Sequence, residues 1–115
     1  INAGSIAEQF VAQELLACAD PYADKKLHFW AREARGSNAE VDFLIEIGGM
    51  PIPVEVKAGA RGSLKSMRLF LNEYPNTLLG IRYSMHELSY FDQILSIPLY
   101  MVNQTQRLVR ICIKS

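Results

Sequence analysis

The period of the apolar positions changes several times along the chain, and each change marks an element. Ile6, Phe10, Val11, Leu15 and Cys18 recur at helical spacing, so the segment to about Cys18 is predicted as a helix packing one stripe on a sheet. Ser5 is the expected N-cap, with Glu8 three residues on as in a capping box. Asp20-Pro21-Tyr22 ends the helix, because proline cannot continue the ladder. From Lys26 to Glu33 the period falls to two, with Leu27, Phe29 and Ala31 on one face and His28, Trp30 and Arg32 on the other, which predicts a strand. Arg35-Gly36-Ser37-Asn38 is a turn cluster.

Glu40 to Lys57 reads as a hairpin about Gly48-Gly49, a pair suited to the positive φ angles of a two-residue turn. Counting back from Ile47 opposite Met50 puts Ile45 against Ile52, Phe43 against Val54 and Val41 against Val56, all on one apolar face. The other face then opposes Leu44 to Pro53, Asp42 to Glu55 and Glu40 to Lys57. One face builds core; the other gathers charge at the end away from the turn.

After the hairpin, Ser63 is the expected N-cap of a helix reaching Asn72 or Glu73, with Leu64, Met67, Leu69, Phe70 and Leu71 inward. Thr77 to Tyr83 is predicted as a buried strand, Ser84 to Asp92 as a loop with His86 on the surface, and Ile97 to Val102 as a short extended segment. Arg107 to Ile113 alternates strongly enough to predict a terminal strand. The order helix, three strands, helix, strand calls for a parallel crossover after Lys57.

Composition narrows the class. With 115 residues, half of them hydrophobic, the chain forms one globular domain over residues 1–115. Twelve basic residues balance twelve acidic ones, which argues against a basic nucleic-acid coat and for weak binding by the isolated domain. It leaves room for a local basic strip beside an acidic site. Cys18 and Cys112 lack metal-ligand spacing and are expected to be buried thiols in a reducing, cytoplasmic setting. No signal peptide or transmembrane run is present, so no membrane partner is expected. The start at Ile1 rather than Met suggests a piece of a longer protein. Gly59 to Ser66 superficially resembles a phosphate-binding loop, but the lysine does not follow the second glycine.

The charged hairpin face supports two readings. Asp42 opposite Glu55 brings two carboxylates together, which suits a hard divalent cation with Lys57 beside it. A solvated face with a Glu40–Lys57 ion pair also fits. Glu8 is either a cap residue or an acid carried toward that site. Arg35, Arg61 and Lys65 are candidates for phosphate contact, the last two near a helix N-terminus. His28 and Trp30 are candidates for base stacking or for a packed sheet edge.

Asp42 followed by Glu55-Val56-Lys57 resembles the PD-(D/E)XK nuclease superfamily. With Gly4 to Val11, Glu14-Leu15-Leu16, Leu27 to Arg32, Ala39 to Leu44 and Pro53 to Lys57, the chain is similar to the domain of unknown function that follows the ATPase module in prokaryotic AAA-type ATPases. The likeness covers about the first 70 residues well. It implies an α/β restriction-endonuclease-like αβββαβ core, a central mixed sheet flanked by helices. It also implies catalytic Asp42, Glu55, Lys57 and Glu8, with Mg²⁺ or Mn²⁺ on Asp42, Glu55 and the Val56 carbonyl, and Lys57 orienting the attacking water. The implied partners are DNA or another nucleic acid and the ATPase module of the same chain. A non-catalytic DNA-binding or protein-interaction module on the same scaffold is the alternative, and an oligomer is compatible with either.

Overall fold

The computed structural model describes residues 3–18, 28–31, 41–57 and 64–114. Its elements are α1 (Ala3–Cys18), β1 (His28–Ala31), β2 (Phe43–Ile47), β3 (Met50–Lys57), α2 (Lys65–Glu73), β4 (Gly80–Ser84), β5 (Ser89–Phe91), β6 (Ile94–Pro98), a 3₁₀ segment (Leu99–Gln104) and α3 (Thr105–Lys114). The strands form one six-stranded mixed sheet in the order β1-β2-β3-β4-β6-β5. β1, β2 and β3 are antiparallel neighbours, whereas β3–β4 and β4–β6 are parallel. The leading order is therefore αβββαβ, in an α/β domain with helices on both faces.

The hairpin register follows from its turn. Gly48 and Gly49 adopt φ of 58° and 84°, the two positive values a type I′ turn requires. Pairing then runs from Ile47 opposite Met50 to Phe43 opposite Val54, as the alternation predicts. Beyond Phe43 the step changes. The Asp42 N–H donates to the Val54 carbonyl at 3.1 Å, so Asp42 and Phe43 both stand against Val54, the two-to-one count of a β-bulge. An extra residue reverses the faces behind it: Val41 packs with Phe70 and Leu44, not on the Ile45 face. Val41 against Val56 and Asp42 squarely opposite Glu55 are therefore not formed.

One sheet face carries Ile45, Ile52, Val54, Ile81, Tyr83, Leu95 and Ile97, covered by Ala7, Val11 and Leu15 of α1 and by Leu108 and Val109 of α3. The other is covered by α2 through Met67, Phe70 and Leu71. α2 sits close over β4, since a Cβ at Gly80 would collide with Met67 Sδ. Tyr83 is fully buried, and its hydroxyl lies 2.6 Å from Thr105 Oγ1, which donates onward to the Val102 carbonyl at 2.6 Å. The Tyr83 hydroxyl is therefore the donor to Thr105.

Several expectations are corrected here. Arg107 to Ile113 is helix, not strand: Thr105, Leu108 and Val109 are buried at i, i+3 and i+4, a spacing the alternation also contained. The predicted loop from Ser84 contains edge strand β5, and Leu99 begins the 3₁₀ segment where extension was expected. α1 is already helical at Ala3, so Ser5 lies inside it and cannot be its N-cap, which removes the capping-box reading of Glu8. Leu64, not Ser63, is the N-cap position of α2, and Leu69 points outward. Burial on α1 falls on Ala7, Val11 and Leu15 while Ile6 and Phe10 are exposed. The cysteines are free, Cys18 exposed and Cys112 half-buried. Among the described residues no helix is long and apolar enough to cross a membrane.

Candidate functional site

Three of the expected residues lie at or beside the carboxyl end of β3. Glu55 and Lys57, two apart on one strand, share the α2 face of the sheet. The Glu55 carboxylate is almost completely buried, and its Oε2 lies 3.2 Å from Lys57 Nζ, whose side chain is 31% exposed. Asp42 reaches the same stretch from the neighbouring strand. The bulge turns its carboxylate onto β3, where Oδ2 accepts the Val56 N–H at 2.8 Å.

Residue 56 thus has an acid on its backbone and a charged pair on either side in sequence. In an antiparallel pair, the N–H and C=O of one residue point to the same neighbouring strand. The Val56 carbonyl therefore lies on the β2 edge, the edge Asp42 occupies. Asp42, Glu55 and this carbonyl make an all-oxygen donor set, and a hard cation takes one or two carboxylates with carbonyl and water oxygens. The residues fit Mg²⁺ or Mn²⁺ by the chemistry of their oxygens. Among the described residues there is no group of three or more His, Cys, Asp or Glu side chains that could hold a metal, so the backbone oxygen is needed to complete three protein ligands.

The parallel strands β3, β4 and β6 end side by side at Lys57, Ser84 and Pro98. The crevice outside such carboxyl ends is where open α/β sheets receive ligands. One row deeper, Glu55 is registered beside Arg82, and Arg82 beside Ser96. Arg82 donates to Ser96 Oγ from Nε at 3.0 Å and from Nη2 at 2.8 Å, which fixes a guanidinium over β6 in the same row of the sheet as the buried glutamate. The sequence reading passed over this cation. Its signal was a lone arginine inside the apolar run Leu78 to Tyr83, on a strand otherwise destined for the core.

The other expected residues divide. Glu8 is half-buried on α1, which covers the face opposite to Glu55 and Lys57, so α1 does not bring it to their side of the sheet. Lys65 is exposed in the first turn of α2. His86 is exposed, and its N–H donates to Ser84 Oγ at 3.1 Å. Glu40, Arg35, Arg61 and the side chains of His28 and Trp30 lie outside the described residues.

Fold and site together define a mixed α/β domain that gathers two carboxylates and a lysine at the carboxyl end of its central strands. The chain matches the family model for a domain of unknown function, DUF4143, over residues 3–102. It belongs to that family. No curated protein and no solved structure matches it.

Proposed function

We propose that the domain is a metal-dependent phosphodiesterase of the PD-(D/E)XK kind, a nuclease module attached to an AAA-type ATPase in a longer cytoplasmic chain. The observation that carries this reading is the arrangement of Asp42, Glu55 and Lys57 about the Val56 backbone, at the open end of the parallel strands. Asp42, Glu55 and the Val56 carbonyl would hold Mg²⁺ or Mn²⁺. Bound there, the ion supplies a more acidic water and charge stabilisation at the phosphate.

The chain's own residues do the rest. Lys57 carries three donors on a flexible stem and is the group that orients the attacking water and meets a phosphate oxygen. Glu55, 3.2 Å from that ammonium, keeps it aimed. The Asp42–Val56 bond fixes the strand edge against which the site is assembled. Lys65, with Arg35 and Arg61, would contact the DNA backbone, where cations set affinity without reading sequence. Glu8 has no role in this reading, because α1 lies on the opposite face of the sheet.

The test is titration of Mn²⁺ by calorimetry with plasmid and single-stranded DNA cleavage measured alongside, on wild type, Asp42→Ala and Lys57→Ala. Metal binding lost in Asp42→Ala, with cleavage lost in both variants, is expected. Cleavage unchanged in either variant removes that residue from the mechanism.

A second reading has its own support. Asp42 already caps the Val56 N–H and Glu55 already pairs with Lys57, so the charges satisfy one another without a metal. The domain would then be an accessory module that binds DNA or packs on the ATPase. Tight DNA binding with no metal-dependent cleavage selects it.

A further inference from the structure

Met67 of α2 stands directly over Gly80, and Met67, Leu71 and Ile94 form an apolar cluster at that row of the sheet. Toward the carboxyl ends of the strands the same face turns polar. Its next row is Glu55, Arg82 and Ser96, and the row beyond is Lys57, Ser84 and Pro98. Glu55, Ser84 and Ser96 are buried, whereas Lys57 and Arg82 are half-buried and reach solvent. Polar groups buried together in this way call for a reason beyond packing.

The two cations of this patch differ in their partners. Lys57 is paired with Glu55. Among the described residues Arg82 pairs with no carboxylate, and both of its hydrogen bonds go to Ser96 Oγ. A guanidinium presents its five N–H donors as a rigid fork. Nε and Nη2 converge on the serine oxygen at 3.0 and 2.8 Å, which occupies one edge of that fork. The end-on edge, between Nη1 and Nη2, keeps two parallel donors that match two oxygens of a phosphate. Because Ser96 is buried on a central strand, the fork is anchored before any ligand arrives. With strands about 4.8 Å apart and residues two along about 6.6 Å on, the backbones of Arg82 and Lys57 are about 8 Å apart, so both long side chains can serve one nucleic-acid strand.

We propose that Arg82 is a further phosphate-binding residue of this site: its free edge takes a backbone phosphate of the bound nucleic acid while Lys57 meets the phosphate that is cut. The proposal rests on the nuclease reading above and adds a substrate contact to it. Ser96 is the positioning residue, acting through the guanidinium it holds.

Fluorescence anisotropy with labelled single-stranded and duplex oligonucleotides, in Ca²⁺ in place of Mg²⁺, tests this beside a cleavage assay in Mn²⁺. Arg82→Gln weakens binding about tenfold or more, the worth of one charge-assisted contact. It also reduces the slope of log affinity against log salt by about 0.7 on the single strand. Arg110→Gln removes the same charge from α3 on the opposite sheet face and changes neither. With each phosphate replaced in turn by an uncharged methylphosphonate, one position weakens wild type and leaves Arg82→Gln unaffected, a pattern that a folding defect cannot give. Urea melts of Arg82→Gln remain cooperative. Arg82→Gln binding as tightly as Arg110→Gln overturns the proposal and leaves the roles of Asp42 and Lys57 standing. Cleavage absent throughout, with binding still dependent on Arg82, overturns the nuclease reading and keeps the contact. A wild type with no affinity for either oligonucleotide overturns both.

Discussion

The carboxylate of Asp42 accepts the backbone N–H of Val56 at 2.8 Å, at the point where the β2–β3 ladder breaks step. The side chain replaces a backbone acceptor that the bulge takes out of reach, so one residue both terminates the pairing and sets an acid on the backbone between Glu55 and Lys57. Structure and chemistry are separable at this position. Asp42→Asn keeps an oxygen for the Val56 N–H and is expected to unfold within about 0.5 kcal/mol of wild type, whereas Asp42→Ala leaves that donor unpaired and costs about 1–3 kcal/mol. Both variants lose the Mn²⁺ heat under the proposed function. Urea melts run beside the calorimetry distinguish the two effects; an Asn variant as unstable as the Ala variant removes the capping account.

The Tyr83–Thr105–Val102 chain predicts an inequality. Tyr83→Phe removes the terminal donor and leaves Thr105 bonded to the Val102 carbonyl, a loss of about 1 kcal/mol. Thr105→Val leaves the buried phenol without an acceptor and is expected to cost more, about 2–3 kcal/mol. Chemical denaturation of the two variants gives the order, and equal losses contradict the assigned donor direction.

Burial pushes the Tyr83 phenol well above its ordinary value of 10.0, with the Thr105 hydrogen bond opposing this only in part. Below that value both folded and unfolded chains hold the proton, and the contribution of this group to stability is complete. Above it the unfolded chain releases the proton first, so stability falls as pH rises, by up to about 1.4 kcal/mol per pH unit from this one group. Tyr83→Phe should lose less stability than wild type between pH 10 and 11. Parallel pH curves for the two proteins rule this out.

Among the described residues, two two-residue hairpin turns have positive φ at both positions. Gly48 and Gly49 suit theirs; Asp92 and Gln93, at φ of 52° and 67°, hold the same conformation with side chains. Gly49→Ala is expected to destabilise by about 1–2 kcal/mol, the cost of a Cβ in the left-handed region. Gln93→Gly relieves a similar strain but gives up the 3.2 Å bond to the Leu78 carbonyl, leaving a gain of about 0.5 kcal/mol. Thermal melts should move in opposite directions.

Gly80 faces Met67 with no room for a side chain. Gly80→Ala forces the methionine off its rotamer or lifts α2, costing about 1–3 kcal/mol. If the collision is with Met67 itself, Gly80→Ala in a Met67→Ala background costs much less than alone. Additive losses in that cycle place the strain in the backbone instead.

The amphipathic alternation about Gly48-Gly49 carried the hairpin and its register from Phe43 to Ile47, because a two-residue turn leaves only one pairing that buries all the apolar residues on one face. Helical spacing likewise located α1 and α2, and glycine, proline and capping chemistry located most breaks. Arg107 to Ile113 is helix against the strand its alternation predicts, because Leu108, Cys112 and their neighbours satisfy periods of two and of about three and a half together, and a window so short does not separate them.

Acids and a lysine at one end of a β-hairpin are legible in the chain, since a period of two and a tight turn are local properties. Where each side chain ends up is settled by packing between elements. The bulge at Asp42, the faces it reverses at Val41, and the row that sets Arg82 beside Glu55 depend on how β2, β4 and α2 compete for the surface of β3. Those contacts join residues far apart in the chain, and long-range packing leaves no period in the sequence to read.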